Sequence, residues 1–264
     1  MKKLLSAIIF SGVLLSGTAG ELRLTDATGG VPLTVVTLAA MHLSRQDESN
    51  SISLTKLLPS QALSQLDSGR TDAVIIDHRF AGKRPQIPLA ADAMAVYAST
   101  GNPVMDISAK EIREIITSPR PTWKKYINRN EDIQRIALKP DRPGGTLLHR
   151  ISGSRELPGE IFQVSTPGSG FAFMNTASLF FANFRSLPPD SSKVKAIKID
   201  GVYPAKDNII SGKYPLALKY VIVFKKEHPL LKKLIKVMMQ DAFLQKQMEN
   251  SGLLPLFPET YPGE

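Results

Sequence analysis

Residues Asp72-Ala-Val-Ile-Ile-Asp77 form the stretch that decides the fold. Four consecutive apolar residues lie between two carboxylates, without the alternation of apolar and polar residues that a half-exposed strand shows. A short, continuous apolar run of this kind is typical of a strand buried on both faces in a parallel sheet. The run therefore predicts a central strand that ends at Asp77.

The sequence around this strand alternates between strand and helix patterns. On its N-terminal side we predict a strand at residues 22–24, a helix after Pro32, a strand at 52–54 and a helix over 61–66. On its C-terminal side we predict strands over 93–98, 133–138, 162–164, 195–199 and 216–224. We predict helices after the capping box Ser108-Ala-Lys-Glu111, from Thr146 and over 171–181, and one continuous helix over 229–251. This alternation implies an α/β protein.

The first 20 residues have the layout of a secretory signal. Two lysines precede the apolar residues 4–15, and small residues 16–20 follow, so we expect cleavage after Ala19 or Gly20. No later segment has the eighteen or so apolar residues that a membrane span requires. We therefore expect a soluble mature chain in the periplasm or outside the cell.

Composition narrows the range of partners. The chain has no cysteine, which excludes disulfides, thiolate catalysis and cysteine-bound metals. Removal of Lys2 and Lys3 lowers the formal charge of +9 by two, to +7, which favours anionic partners. The basic residues are dispersed, with no basic run interleaved with aromatics, so we do not expect nucleic-acid binding.

The short matches to enzyme motifs occur without the other motifs that those enzymes require. The four histidines have no metal-ligand spacing, and Ser53-Leu-Thr-Lys56 matches a Ser-x-x-Lys motif without the other motifs of penicillin-recognising enzymes. No Gly-x-Ser-x-Gly is present. We therefore predict no catalytic residues, no metal site and no cofactor.

The stretch Leu138-Lys-Pro-Asp-Arg-Pro-Gly-Gly-Thr-Leu-Leu-His149 suits an anion. A glycine-rich turn leads from a strand into a helix that begins near Thr146, and free N–H groups at a helix start attract negative charge. An ordinary polar loop between a strand and a helix is the alternative interpretation.

Several stretches follow one another in a characteristic order. They are residues 72–77, 88–97, 102–103 with 107–112, the turn at Trp123, 143–146, 195–201 and 208–215. In order and spacing, over nearly the whole mature chain, this series resembles the periplasmic phosphate-binding proteins of ABC importers.

The resemblance implies the type II periplasmic-binding-protein fold. That fold has two α/β lobes joined by two crossing strands, here residues 93–98 and 216–223. One lobe would contain residues 21–95 with 217–264, and the other residues 96–216. The resemblance also implies a monomer that closes about its hinge on phosphate or a related oxyanion, and an ABC permease or a sensor that detects the closure.

The resemblance further implies the ligand-binding residues. Asp77 matches the carboxylate that accepts a proton from phosphate, although a turn residue at a strand end is its alternative interpretation. The other matching positions are Thr28, Gly29, Ser60, Gly144, Gly145 and Thr146, with Lys139 or Arg142 in place of the family arginine.

This chain departs from the family at the anion loop. The family offers Ser-Gly-Thr after an arginine, whereas this chain has Gly144-Gly145-Thr146 after Lys139 or Arg142. One hydroxyl is missing, and lysine is a point charge rather than a two-pronged donor. The sequence therefore leaves two functions open: capture of an oxyanion, phosphate first, or a periplasmic sensor or interaction protein that has lost or changed ligand binding.

Overall fold

The computed structural model describes residues 21–30, 32–140, 145–153, 157 and 160–257. These residues divide into two compact units. Unit 1 contains the described residues up to Ala90 together with those from Lys219 onward, and unit 2 is Ala91–Leu218. The predicted signal, residues 1–20, lies outside the described residues. That the two units act as ligand-clamping lobes stays a prediction.

Strands and helices alternate along most of the chain. The first seven elements are β1 (Glu21–Asp26), α1 (Leu33–Gln46), β2 (Ser51–Lys56), α2 (Pro59–Asp67), β3 (Ala73–Asp77), α3 (His78–Ala81) and β4 (Gln86–Ser99). The middle of the chain forms β5 (Asp106–Ile107), α4 (Ala109–Thr117), α5 (Lys124–Ile127), β6 (Gln134–Leu138), α6 (Leu147–Ser152), β7 (Phe162–Val164), α7 (Pro167–Ala172), β8 (Ser178–Asn183), β9 (Val194–Ala196), β10 (Lys198–Ile199) and α8 (Lys206–Ser211). The last elements are β11 (Ala217–Phe224), α9 (Pro229–Gln240), α10 (Ala242–Asn250) and β12 (Leu254–Pro255).

Unit 1 is built on a sheet whose centre is β3. The strand order is β2-β1-β3-β11, followed by β4, and all five residues of β3 are buried. Strands β2, β1 and β3 are parallel, but β11 is antiparallel to β3. The predicted strand is confirmed, and its sheet is mixed rather than wholly parallel because β11 returns along it from the far end of the chain.

Unit 2 has its own strand order, β4-β8-β6-β7, with β9 also paired to β4. β6 is parallel to both β7 and β8, whereas β8 and β9 are antiparallel to β4. Trp123 is fully buried and donates its indole N–H to the carbonyl of Ala177 over 2.8 Å. The single tryptophan of the chain is therefore a packing anchor of this unit.

The capping box at the start of α4 is also confirmed. The Ser108 hydroxyl accepts the backbone N–H of Glu111, and the Glu111 carboxylate accepts the backbone N–H of Ser108. Both orphan donors at the helix start are thereby satisfied. No helix among the described residues is long and apolar enough to cross a membrane.

Two helix predictions are wrong. The helix predicted over 171–181 is replaced by the short helix α7, which ends at Ala172, and by strand β8, all six residues of which are buried. A continuous apolar run fits a buried strand as well as a buried helix, and here the strand pairs with β4 and β6. The helix predicted over 229–251 is interrupted at Asp241, whose carboxylate accepts two N–H groups of a new helix, α10.

Candidate functional site

Four of the predicted ligand-binding residues lie at one edge of unit 1. Because β1, β2 and β3 are parallel, their carboxyl ends meet at the same edge. Thr28 and Gly29 follow β1, Ser60 follows β2, and Asp77 is the last residue of β3. Open α/β sheets bind ligands outside the carboxyl ends of their strands, so we call this edge of unit 1 the carboxyl edge.

The donors of Thr28 are held by a carboxylate that the sequence analysis missed. Thr28 is buried, and both its N–H and its hydroxyl donate to Oδ1 of Asp26, over 3.0 Å and 2.5 Å. The other oxygen, Oδ2 of Asp26, is buried without a hydrogen-bond partner among the described residues. An internal carboxylate therefore occupies the two groups that were expected to bind the ligand.

The turn after Thr28 brings a lysine into the site. Gly29 and Gly30 have φ of 75° and 95°, a backbone conformation that favours glycine. The ammonium Nζ of Lys56, the last residue of β2, lies 3.7 Å from the position that a Cβ on Gly30 would take. Lys56 is also the register partner of Asp26 across the two parallel strands. Its place at the carboxyl end of a predicted strand is the signal that could have identified it.

Asp77 is paired with a second residue that the sequence analysis missed. The exposed fraction of its side chain is 8%, and Oδ1 accepts the backbone N–H of Arg79 over 3.0 Å. The Arg79 guanidinium also donates to both carboxylate oxygens, over 2.6 to 3.1 Å. The hydrogen bond to Asp77 raises the pKa of Arg79. Asp77 therefore acts as a turn residue at the end of a strand, which was its alternative interpretation. Its role in ligand binding stays a prediction.

Ser60 lies in the first turn of α2 rather than in the loop before it. Its side chain is exposed, and its hydroxyl has no hydrogen-bond partner within the described part of the chain. Leu58, the residue before α2, provides no side-chain cap for the helix. Pro59, the first residue of α2, has no N–H, so the hydroxyl and the backbone N–H of Ser60 are the first donors of this helix at the carboxyl edge.

In unit 2, Gly145 and Thr146 are placed between β6 and α6. A Cβ on Gly145 would overlap the carbonyl oxygen of Lys139 and lie 2.6 Å from its carbonyl carbon, so only glycine fits this close approach. Thr146 precedes α6, is half-buried, and its hydroxyl has no partner within the described residues. Lys139 is exposed at the end of β6. The predicted residues Arg142 and Gly144 lie outside the described residues.

Arg135 in β6 has a structural role. Its guanidinium is buried and donates to the carbonyls of Ile115, Ile116, Ser118 and Pro119, at and just beyond the C-terminal end of α4. Burial lowers the pKa of this guanidinium, while the charge of Glu160 opposes the shift. Because its hydrogen bonds are directed at α4, Arg135 does not replace the family arginine. Within the described ranges, no group of three or more His, Asp or Glu side chains could hold a metal ion.

Comparisons with known proteins identify relatives among phosphate receptors. No family model matches the chain. The phosphate-binding protein PstS of Bacillus subtilis is 25% identical over 160 residues, which are 60% of this chain and 49% of the relative. The chain therefore aligns with about half the length of this curated relative.

Two solved structures have a similar fold. An ABC-type phosphate transport receptor from Vibrio cholerae matches with a TM-score of 0.64 at 17% identity, covering 88% of this chain and 99% of the receptor. PstS from Borrelia burgdorferi matches with a TM-score of 0.68 at 14% identity, covering 89% and 98% of the two chains. The chain thus has the fold of the phosphate-binding receptors of ABC transporters, and the resemblance predicted from its sequence is confirmed.

Proposed function

We propose that the protein is an exported, non-catalytic solute-binding protein that captures an oxyanion, with phosphate as the first candidate. One observation carries the proposal. In the fold of phosphate receptors, this chain has at predicted ligand positions two hydroxyl donors without a partner among the described residues, Ser60 in unit 1 and Thr146 in unit 2. Each hydroxyl lies at the start of a helix, where backbone N–H groups add further donors.

Asp77 would supply selectivity. A carboxylate accepts a proton from hydrogen phosphate and repels sulfate, which has no proton to donate at neutral pH. In this structure Arg79 occupies both oxygens of Asp77. Ligand capture through Asp77 therefore requires the Arg79 guanidinium to rotate away from at least one oxygen. Arg79, whose side chain is 53% exposed, could then place its positive charge on the anion.

The cellular setting follows from the same proposal. The apolar residues 4–15 would direct export to the periplasm or the medium, and an ABC permease or a sensor would detect the bound state. We expect the protein to act as a monomer, as the resemblance implies.

Phosphate-dependent stability tests the proposal. Protein should be stripped of phosphate by unfolding and refolding in phosphate-free buffer, and then denatured thermally with and without added phosphate. Binding to the native state should stabilise it by about 4 kcal/mol at a thousand times the dissociation constant. The absence of a shift with phosphate, sulfate and related anions at millimolar concentration would contradict oxyanion capture.

A sensor or interaction protein without a ligand is the second candidate. It is favoured because Asp26 holds both donors of Thr28 and Arg79 holds Asp77. This candidate predicts that a partner is captured equally well in the presence and absence of phosphate. Tight phosphate binding that Asp77→Ala abolishes would exclude it.

A further inference from the structure

Lys56 stands out at the carboxyl edge because the described residues provide no partner for its charge. Its side chain is exposed, and its ammonium has no carboxylate or hydrogen-bond acceptor within reach among the described residues. Of the two acidic side chains identified at this edge, Asp26 binds Thr28 through Oδ1 and Asp77 pairs with Arg79, and neither forms an ion pair with Lys56. Lys56 therefore supplies a positive charge that neither carboxylate neutralises through a direct contact.

The position of the ammonium is defined by the turn that leads to α1. Lys56 ends β2, and its Nζ lies beside Gly30, 3.7 Å from the site of a Cβ that glycine lacks. Gly30 has φ of 95°, so residues with side chains are disfavoured there. The turn thus leaves open space beside the charge, two residues along the chain from Thr28.

We propose that Lys56 is the cationic ligand-contacting residue of unit 1, and that it takes over the anion contact from Thr28. The inference rests on the proposed function and extends it to a residue for which the resemblance gave no role. The N–H and hydroxyl of Thr28 are committed to Asp26, so they cannot donate to a ligand without breaking those bonds. A charge-assisted hydrogen bond from Lys56 replaces them.

The chemistry of lysine also defines what this contact can recognise. An ammonium is a compact point charge without a planar fork, so it attracts tetrahedral oxyanions without fixing their orientation. Lys56 should therefore contribute to affinity for phosphate and sulfate alike, and selection between these anions has to come from other residues such as Asp77.

Calorimetric titration of phosphate-stripped variants with inorganic phosphate tests the assignment. Lys56→Met should weaken phosphate binding about tenfold or more and reduce its salt dependence, because a charged hydrogen bond is lost. Lys56→Arg should keep most of the affinity. Lys236→Met, which removes the same charge from an exposed position in α9, is the matched control and should bind like the wild type.

The outcomes separate the two proposals. If the wild type binds phosphate and Lys56→Met binds it equally well, the role of Lys56 is wrong while oxyanion capture stands. If Lys56→Met and Lys236→Met weaken binding to the same extent, Lys56 acts only through net charge, and the proposed contact is again wrong. If the wild type binds neither phosphate nor sulfate, the proposed function fails, and the role of Lys56 fails with it.

Discussion

A buried carboxyl in β4 should make the stability of unit 2 depend on pH. Asp92 is fully buried, and its Oδ1 accepts the backbone N–H of Ala93 over 2.8 Å and the side-chain amide of Asn183 over 2.6 Å. The Asn183 oxygen accepts the N–H of Arg185, which directs the amide N–H toward Asp92. Burial raises the pKa of Asp92 from 3.8 to about 7, although these hydrogen bonds and the charge of Arg150 favour ionisation.

The sign of the effect follows from proton linkage. Between pH 4 and pH 7 the folded state holds a proton on Asp92 that the unfolded state releases, so stability falls as pH rises through this window. The full difference of about 3 between the folded and unfolded pKa values corresponds to about 4 kcal/mol in the free energy of unfolding. Between pH 5 and pH 8 this free energy falls by about 2 to 3 kcal/mol. Asp92→Asn keeps an acceptor for both donors but cannot ionise, so it should not lose this stability.

The assay can be confined to unit 2, because the single tryptophan, Trp123, is buried there. Urea unfolding followed by its fluorescence should be measured at pH 5 and pH 8 for the wild type, Asp92→Asn and the control Asp207→Asn, which changes an exposed carboxylate of α8. The wild type and the control should lose stability on alkalinisation relative to Asp92→Asn. An identical pH dependence in all three proteins would refute the reasoning.

Two further predictions concern unit 2. Gly145→Ala should destabilise the protein by about 1 to 3 kcal/mol and weaken phosphate binding, because the new methyl group collides with the Lys139 carbonyl. A variant with the stability and phosphate affinity of the wild type would contradict this close approach. Arg135→Met should lower the free energy of unfolding by about 2 to 4 kcal/mol, because four carbonyls near the end of α4 lose their donors. An unchanged urea midpoint of Trp123 fluorescence would contradict the capping role of Arg135.

Most elements of unit 1 were predicted because their apolar residues follow a strand or a helix pattern, although α3 was not predicted and α9 and α10 were predicted as one helix. Leu22 and Leu24 alternate with polar residues in β1, and the run of four apolar residues before Asp77 is too short for a buried helix. Periodicity fails where apolar residues are consecutive, as over 179–182 in β8, and where a helix is interrupted by one capping residue, as at Asp241. Both errors depend on tertiary pairing or local capping, which apolar spacing does not encode.

The candidate site was also predicted only in part. The resemblance singled out Thr28 and Asp77, but it did not indicate which groups their polar atoms bind. Both carboxylates of this edge precede a donor by two residues, Asp26 before Thr28 and Asp77 before Arg79, which is the spacing of an Asx-turn. That local signal could have indicated that the expected ligand donors are engaged within the chain.

Calorimetric titration of the phosphate-stripped wild-type protein with inorganic phosphate tests the central claim most directly. Oxyanion capture predicts saturable binding of one phosphate per chain, weakened by Asp77→Ala and by high salt. No heat of binding at any temperature tested, together with no phosphate retained in equilibrium dialysis at millimolar concentration, would contradict it.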